Sequence, residues 1–188
     1  MAVGLGIALV VCSASESSAR TRTRSSSRRN RRQVAGANLH GYAGARYHTN
    51  SSVLPGLPFE SGDLSWLLGV ELHEQAAYWQ ALLGIARGVE GLGYDTRYVL
   101  TPQVNLLLKD RSFLGGIGIL RSHIDPDVPG MGSGWSRTYY QFLLGYDFST
   151  SNRTNLNIFV VYPFLRWSEL SDFSGSDLEY QAGLSISF

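Results

Sequence analysis

Asp177-Leu-Glu-Tyr-Gln-Ala-Gly-Leu-Ser-Ile-Ser-Phe188 is the stretch that decides the fold. Leu178, Tyr180, Ala182, Leu184, Ile186 and Phe188 are apolar at a strict spacing of two, while Glu179, Gln181, Gly183, Ser185 and Ser187 between them are polar or small. Successive side chains of a strand point to opposite faces, so this alternation predicts a strand with one apolar and one polar face. The pattern continues to Phe188, where the end of a soluble chain ordinarily frays into polar residues, so it reads as a buried closing strand.

Working outward from it, the same period recurs. Strand one, Ala37 to His48, sets Leu39, Ala43, Ala45 and Tyr47 against Asn38, His40, Tyr42 and Arg46. Strand two sets Trp66, Leu68, Val70 and Leu72 against Leu67, Gly69, Glu71 and His73. Strand three places Trp79, Ala81, Leu83 and Ile85 outward and Gln80, Leu82, Gly84 and Ala86 inward, although residues 70–86 also carry helical propensity. In strand four Tyr98, Leu100, Pro102, Val104, Leu106 and Leu108 alternate with Arg97, Val99, Thr101, Gln103, Asn105 and Leu107. Pro102 lacks a donor, so a bulge or weakened pairing is expected there.

Lys109-Asp110-Arg111 reads as a tight turn into strand five, where Phe113, Ile117 and Ile119 face out and Gly116 and Gly118 leave interior room. A loop from Ser122 to Ser136 precedes strand six, with Tyr140, Phe142, Leu144, Tyr146 and Phe148 outward against Gln141, Gly145 and Asp147. Ser149 to Arg153 is a turn, and strand seven shows Leu156, Ile158, Val160, Tyr162 and Phe164 outward with Asn155 and Asn157 inward. A loop from Ser168 to Ser176 leads to the closing strand.

The connections alternate long and short, and the strand number is even. That is the loop asymmetry of an all-β, eight-stranded antiparallel up-and-down transmembrane β-barrel, whose strands need about 9–11 residues to cross a bilayer. Outward Tyr47, Trp66, Tyr98, Tyr140, Tyr162, Phe164 and Tyr180 fall at one rim, and Trp79, Phe113, Tyr146, Phe148 and Phe188 at the other, as two aromatic girdles. On these residues the chain resembles the small bacterial outer-membrane barrels of the OmpA and OmpX type. The resemblance implies a cell-envelope, outer-membrane location, less readily an organellar outer membrane. It also implies lipid and lipopolysaccharide as surroundings, and barrel-assembly machinery that reads the C-terminal strand.

Hydropathy agrees with strands rather than helices, since the only continuous apolar run, Val3 to Val11, is too short to span a membrane. It reads as the core of a signal peptide over residues 1–19, with Ser17-Ser18-Ala19 as a small-residue cleavage site. Residues 20–34 form an Arg/Ser-rich arm that is disordered by composition, and residues 35–188 the barrel. Cys12 is the only cysteine, so no intrachain disulfide forms. The first 33 residues hold seven arginines and Glu16, leaving 9 basic and 14 acidic residues and a net charge of −5 for the rest. Such a body is a poor nucleic-acid binder.

Inward His40, Arg46, Glu71, His73, Arg97, Gln103, Asn105, Gln141, Asp147, Glu179 and Gln181 are expected to form a lumen network, because an unpaired charge there is costly. No cofactor, metal-ligand spacing or nucleotide motif is read, and the four histidines are scattered. A non-enzymatic, monomeric structural or surface-interaction barrel with a narrow, porin-like or plugged lumen follows. Two alternatives compete with it. A lipid A deacylase barrel carries His and Ser two residues apart on one face, whereas Ser122-His123 are adjacent and His48-Thr-Asn50 lacks the serine; His40 and Ser185 are inward neighbours without obvious substrate access. A soluble lipocalin-like small-ligand barrel would place its polar residues outside.

Overall fold

The computed structural model describes residues 38–49, 56–74 and 76–188. The proposed signal peptide, the arm, Cys12, Ala37 and Asn50 lie outside these residues. Eight antiparallel strands close into a barrel in chain order: β1 (Asn38–Tyr47), β2 (Leu64–Glu74), β3 (Ala77–Ala86), β4 (Thr96–Asp110), β5 (Phe113–Pro126), β6 (Gly134–Ser149), β7 (Thr154–Phe164) and β8 (Glu179–Ser187). Closure is made by β1 against β8, with Ala43 opposite Leu184 and Tyr47 opposite Tyr180. Every strand edge is thereby paired.

The sidedness follows the period of two. On β8, Tyr180, Leu184 and Ile186 are exposed while Glu179, Gln181 and Ser185 are buried. β3 is a strand throughout, and its helical propensity is overridden because Trp79 and Leu83 face out while Gln80 and Leu82 face the lumen.

Two local expectations need correction, and a third is met. The turn after β4 is Arg111–Ser112 rather than Lys109–Arg111, with Arg111 in the left-handed region at φ 57°. Residues 122–126 and 134–136 are strand rather than loop, because β5 and β6 keep pairing through His123–Trp135 and Ile124–Gly134 beyond a register shift. At Pro102 the expected weakening of the ladder is present, without a bulge. Pairing to β5 lapses between Leu100–His123 and Gln103–Leu120, and the register shift lies instead between Thr96 and Tyr98.

The lumen is filled in two ways. At the end carrying the long connections, Leu57 and Phe59 of the β1–β2 loop are buried against Val99, Leu120, Ile124 and Tyr139 of the wall. Gly91 brings the β3–β4 loop onto this plug by donating its N–H to Pro58 O at 2.9 Å, an approach at which a Cβ would overlap that carbonyl. Farther along the β3–β7 wall, Tyr78, Leu107, Leu114, Leu143, Phe159 and Val161 pack together inside. A third, smaller apolar group joins Tyr42, Leu67 and Leu82, and polar side chains fill the space between these groups.

Candidate functional site

The largest polar network of the lumen is one connected line. Its first half follows a row of cross-strand partners, Glu71 opposite Gln80, Gln80 opposite Asn105, Asn105 opposite Gly118 and Gly118 opposite Gln141. Gln80 Nε2 donates to Glu71 Oε1 at 2.7 Å, Asn105 Nδ2 to Gln80 Oε1 at 2.8 Å, and Gln141 Nε2 to Asn105 Oδ1 at 2.5 Å. Gly118 is the gap in the row that makes the last bond possible, since a Cβ there would overlap Asn105 Oδ1.

The line then crosses the lumen. Arg46 Nη1 donates to Gln141 Oε1 at 3.0 Å and to Gln103 Oε1 at 3.3 Å. Arg46 Nε lies 2.5 Å from Glu179 Oε2, off the N–H axis, as a buried ion pair. Glu179 Oε1 is 2.8 Å from His48 Nδ1, whose Nε2 is 2.8 Å from Ser65 Oγ, and the imidazole stacks on Phe59 of the plug at 3.9 Å. Polar line and apolar plug therefore meet at His48. Gln181 Nε2 donates to Tyr42 Oη at 3.1 Å beside this line. Arg46 Nη2, Gln103 Nε2 and Gln181 Oε1 are buried without a hydrogen-bond partner, so the network is not saturated.

At the opposite end, where the short turns lie, Glu71 gathers a cluster. Ser185 Oγ donates to Glu71 Oε2 at 2.6 Å, and His73 Nε2 is 2.9 Å from the same oxygen. Ser185 Oγ also sits 3.4 Å from His40 Nδ1, and the His40 and His73 rings stack at 3.9 Å. Asp147 is paired with Lys109 and accepts from Asn155 Nδ2 at 3.4 Å.

Of the residues expected in the lumen, Arg46, Glu71, Gln103, Asn105, Gln141, Asp147, Glu179 and Gln181 are buried, and His40 and His73 are half-buried at its mouth. Arg97 is not there. It is the extra residue of the β4 bulge, so Thr96 takes the inward position, and the guanidinium lies outside near Asp125 at 3.7 Å and Asp127 at 3.3 Å. Two expected girdle residues are also covered. Tyr162 and Phe164 sit on the outward face, but Phe173 and Trp167 of the β7–β8 connection pack over them, at 5.0 and 5.2 Å between ring centroids. Tyr47, Trp66, Trp79, Phe113, Tyr140, Tyr146, Phe148, Tyr180 and Phe188 are exposed, and Tyr98 is half-buried.

Sequence reasoning missed His48, Ser65, Ser185 and Lys109 as members of the network. The signal for all four was inward parity, His48 with Arg46, Ser65 with Leu67, Ser185 with Gln181 and Lys109 with Asn105. Ser122 and His123 point to opposite faces as their adjacency requires, Ser122 bonding Thr101 at 2.8 Å inside and His123 lying against Trp135 at 5.0 Å. No family model, curated protein or solved structure matches this chain.

Proposed function

We propose that this chain is an outer-membrane β-barrel with a filled lumen, monomeric in lipid and lipopolysaccharide, with a structural or surface-interaction role. The observation that carries this reading is the outer wall: a belt of large apolar side chains is exposed around the outside, while fully buried charges lie inside. Leu39, Leu68, Val70, Val104, Leu108, Ile117, Ile119, Leu144, Ile158, Leu184 and Ile186 are each more than two-fifths exposed, whereas Arg46, Glu71 and Glu179 are at most 5% exposed. Among the described residues, charged residues on the outward face of the strands lie toward the strand ends, Glu74 and Asp110 at one and Arg97, Arg121 and Asp125 at the other. In water such a continuous apolar surface is an aggregation hazard, and in hydrocarbon it is the required solvent face.

The lumen supports a plugged barrel over a ligand carrier. The space between Arg46, His48, Phe59 and Glu179 is about 10 Å³, against the roughly 300 Å³ or more of a small-molecule site. A surface role is supported at the loop end by a groove of about 550 Å³ beside Tyr94, Met131 and Trp135, the last two 47% and 53% exposed. β4, β5 and β6, at 15, 14 and 16 residues, exceed the roughly 9–11 needed for crossing and so carry this groove beyond the bilayer.

Refolding into liposomes, with gel migration compared before and after boiling, tests the proposal. A compact, heat-modifiable, lipid-dependent band is expected. A monodisperse folded protein in detergent-free buffer would overturn the reading in favour of a soluble barrel.

A further inference from the structure

We propose that His40, Glu71 and His73 form a binding site for a divalent transition-metal ion of the zinc class, at the turn-end mouth of the lumen. Each residue offers one ligand atom, and the three atoms lie within 4.8 Å of one another. The fold brings them together in two steps: Glu71 and His73 are two apart on β2 and share its inward face, and His40 on β1 pairs directly with Glu71.

The surroundings are those of a prepared ligand set. Glu71 is fully buried, and its carboxylate is oriented by Gln80 at 2.7 Å and Ser185 at 2.6 Å, the outer contacts that fix a ligating carboxylate. The nearby Lys109 is paired with Asp147, so its charge is already matched. The His73 side chain keeps 22% of its exposure and His40 is half-buried, which provides an entry path from the mouth.

Two imidazoles and one carboxylate with a fourth position open suit Zn²⁺, and also Ni²⁺ or Cu²⁺, better than the all-oxygen preference of Ca²⁺ or Mg²⁺. The His40 and His73 rings are stacked with an interplanar angle of 8°. A metal lies in the plane of each imidazole that binds it, so loading must turn one ring out of the stack. His73 is held between His40 and Tyr78, at 4.4 Å from the latter, and bonded to Glu71 at 2.9 Å, so His40, half-buried at the mouth, is the ring that turns. All three ligands lie inside the lumen, so the site binds alike in a membrane or an aqueous setting.

The full chain carrying Cys12→Ser, folded in detergent micelles and stripped with a chelator, is titrated with Zn²⁺ against a chromogenic competitor. One ion per chain is expected, with affinity lowered by about tenfold or more in His40→Ala and in His73→Ala. Ser185→Ala, which keeps all three ligands, should weaken binding by about tenfold. His123→Ala should leave it unchanged. Cu²⁺ loading should show two imidazole nitrogens by electron paramagnetic resonance. Absence of stoichiometric Zn²⁺ binding, or binding that survives loss of both His40 and His73, overturns the proposal. If those variants do not fold, acylation of His40 and His73 by diethyl pyrocarbonate in the unsubstituted protein decides. Protection by Zn²⁺ supports the site, and no protection overturns it.

Discussion

The outward and inward faces of the same strands are built to different rules. Outside, exposed Leu144, Ile158 and Leu184 have no directional partner, and on the proposed reading need only be apolar, because hydrocarbon makes no directional demand on its neighbours. Inside, Glu71, Asn105, Gln141, Arg46 and Glu179 each depend on a particular partner at hydrogen-bond distance. The difference teaches that substitutions outside should be graded by polarity and depth, and those inside by what they leave unpaired.

Glu179→Ala should show the inward rule most strongly. It strands the Arg46 guanidinium in a site where both side chains are about one-twentieth exposed, and breaking such a pair costs about 3–5 kcal/mol. Urea unfolding from liposomes measures this. The paired change Arg46→Met with Glu179→Leu should recover most of the loss, and a double variant as unstable as the single one would break the comparison.

Leu184→Arg tests the outward rule at about 2–4 kcal/mol if the side chain sits near mid-bilayer. Its neighbour Ser185 is 1% exposed inside, so Ser185→Arg is limited by crowding in the lumen instead. Equal tolerance of the two in refolding yields, or a milder effect at Leu184, would remove the distinction between faces.

Gly118→Ala sharpens the inward rule by adding only a methyl group. Because that Cβ overlaps Asn105 Oδ1, the amide must swing away and its bond with Gln141 is lost, at about 1–3 kcal/mol. The nearby Gly115 has open space at the same position, so Gly115→Ala should be close to neutral in the same assay.

Arg97→Ala is expected to have the smallest effect. The Arg97 side chain is 64% exposed and its partner Asp127 is 60% exposed, so the loss is at most about 1 kcal/mol and shrinks further in salt. Had Arg97 been a lumen residue, the same change would resemble Glu179→Ala, so unfolding of this variant checks the bulge directly.

Strand sidedness was legible wherever the period of two ran unbroken, as from Leu178 to Phe188 and from Trp66 to His73, because the pleat alone assigns alternate residues to opposite faces. Arg97 was misread because one extra residue reverses that parity, and the sequence around it has no glycine or proline to announce a bulge. The face of Tyr162 and Phe164 was also legible, yet their covering by Trp167 and Phe173 depends on how the β7–β8 connection folds back. The sequence by itself determined the two faces of every strand whose alternation runs unbroken. Only the tertiary structure decided which inward side chains meet, since the partners of Glu71, Gln141 and Arg46 are set by strand register and by closure of β1 on β8. His40 and Glu71 are separated by a long loop in the chain and become neighbours through one antiparallel pairing, an interaction that local spacing does not encode.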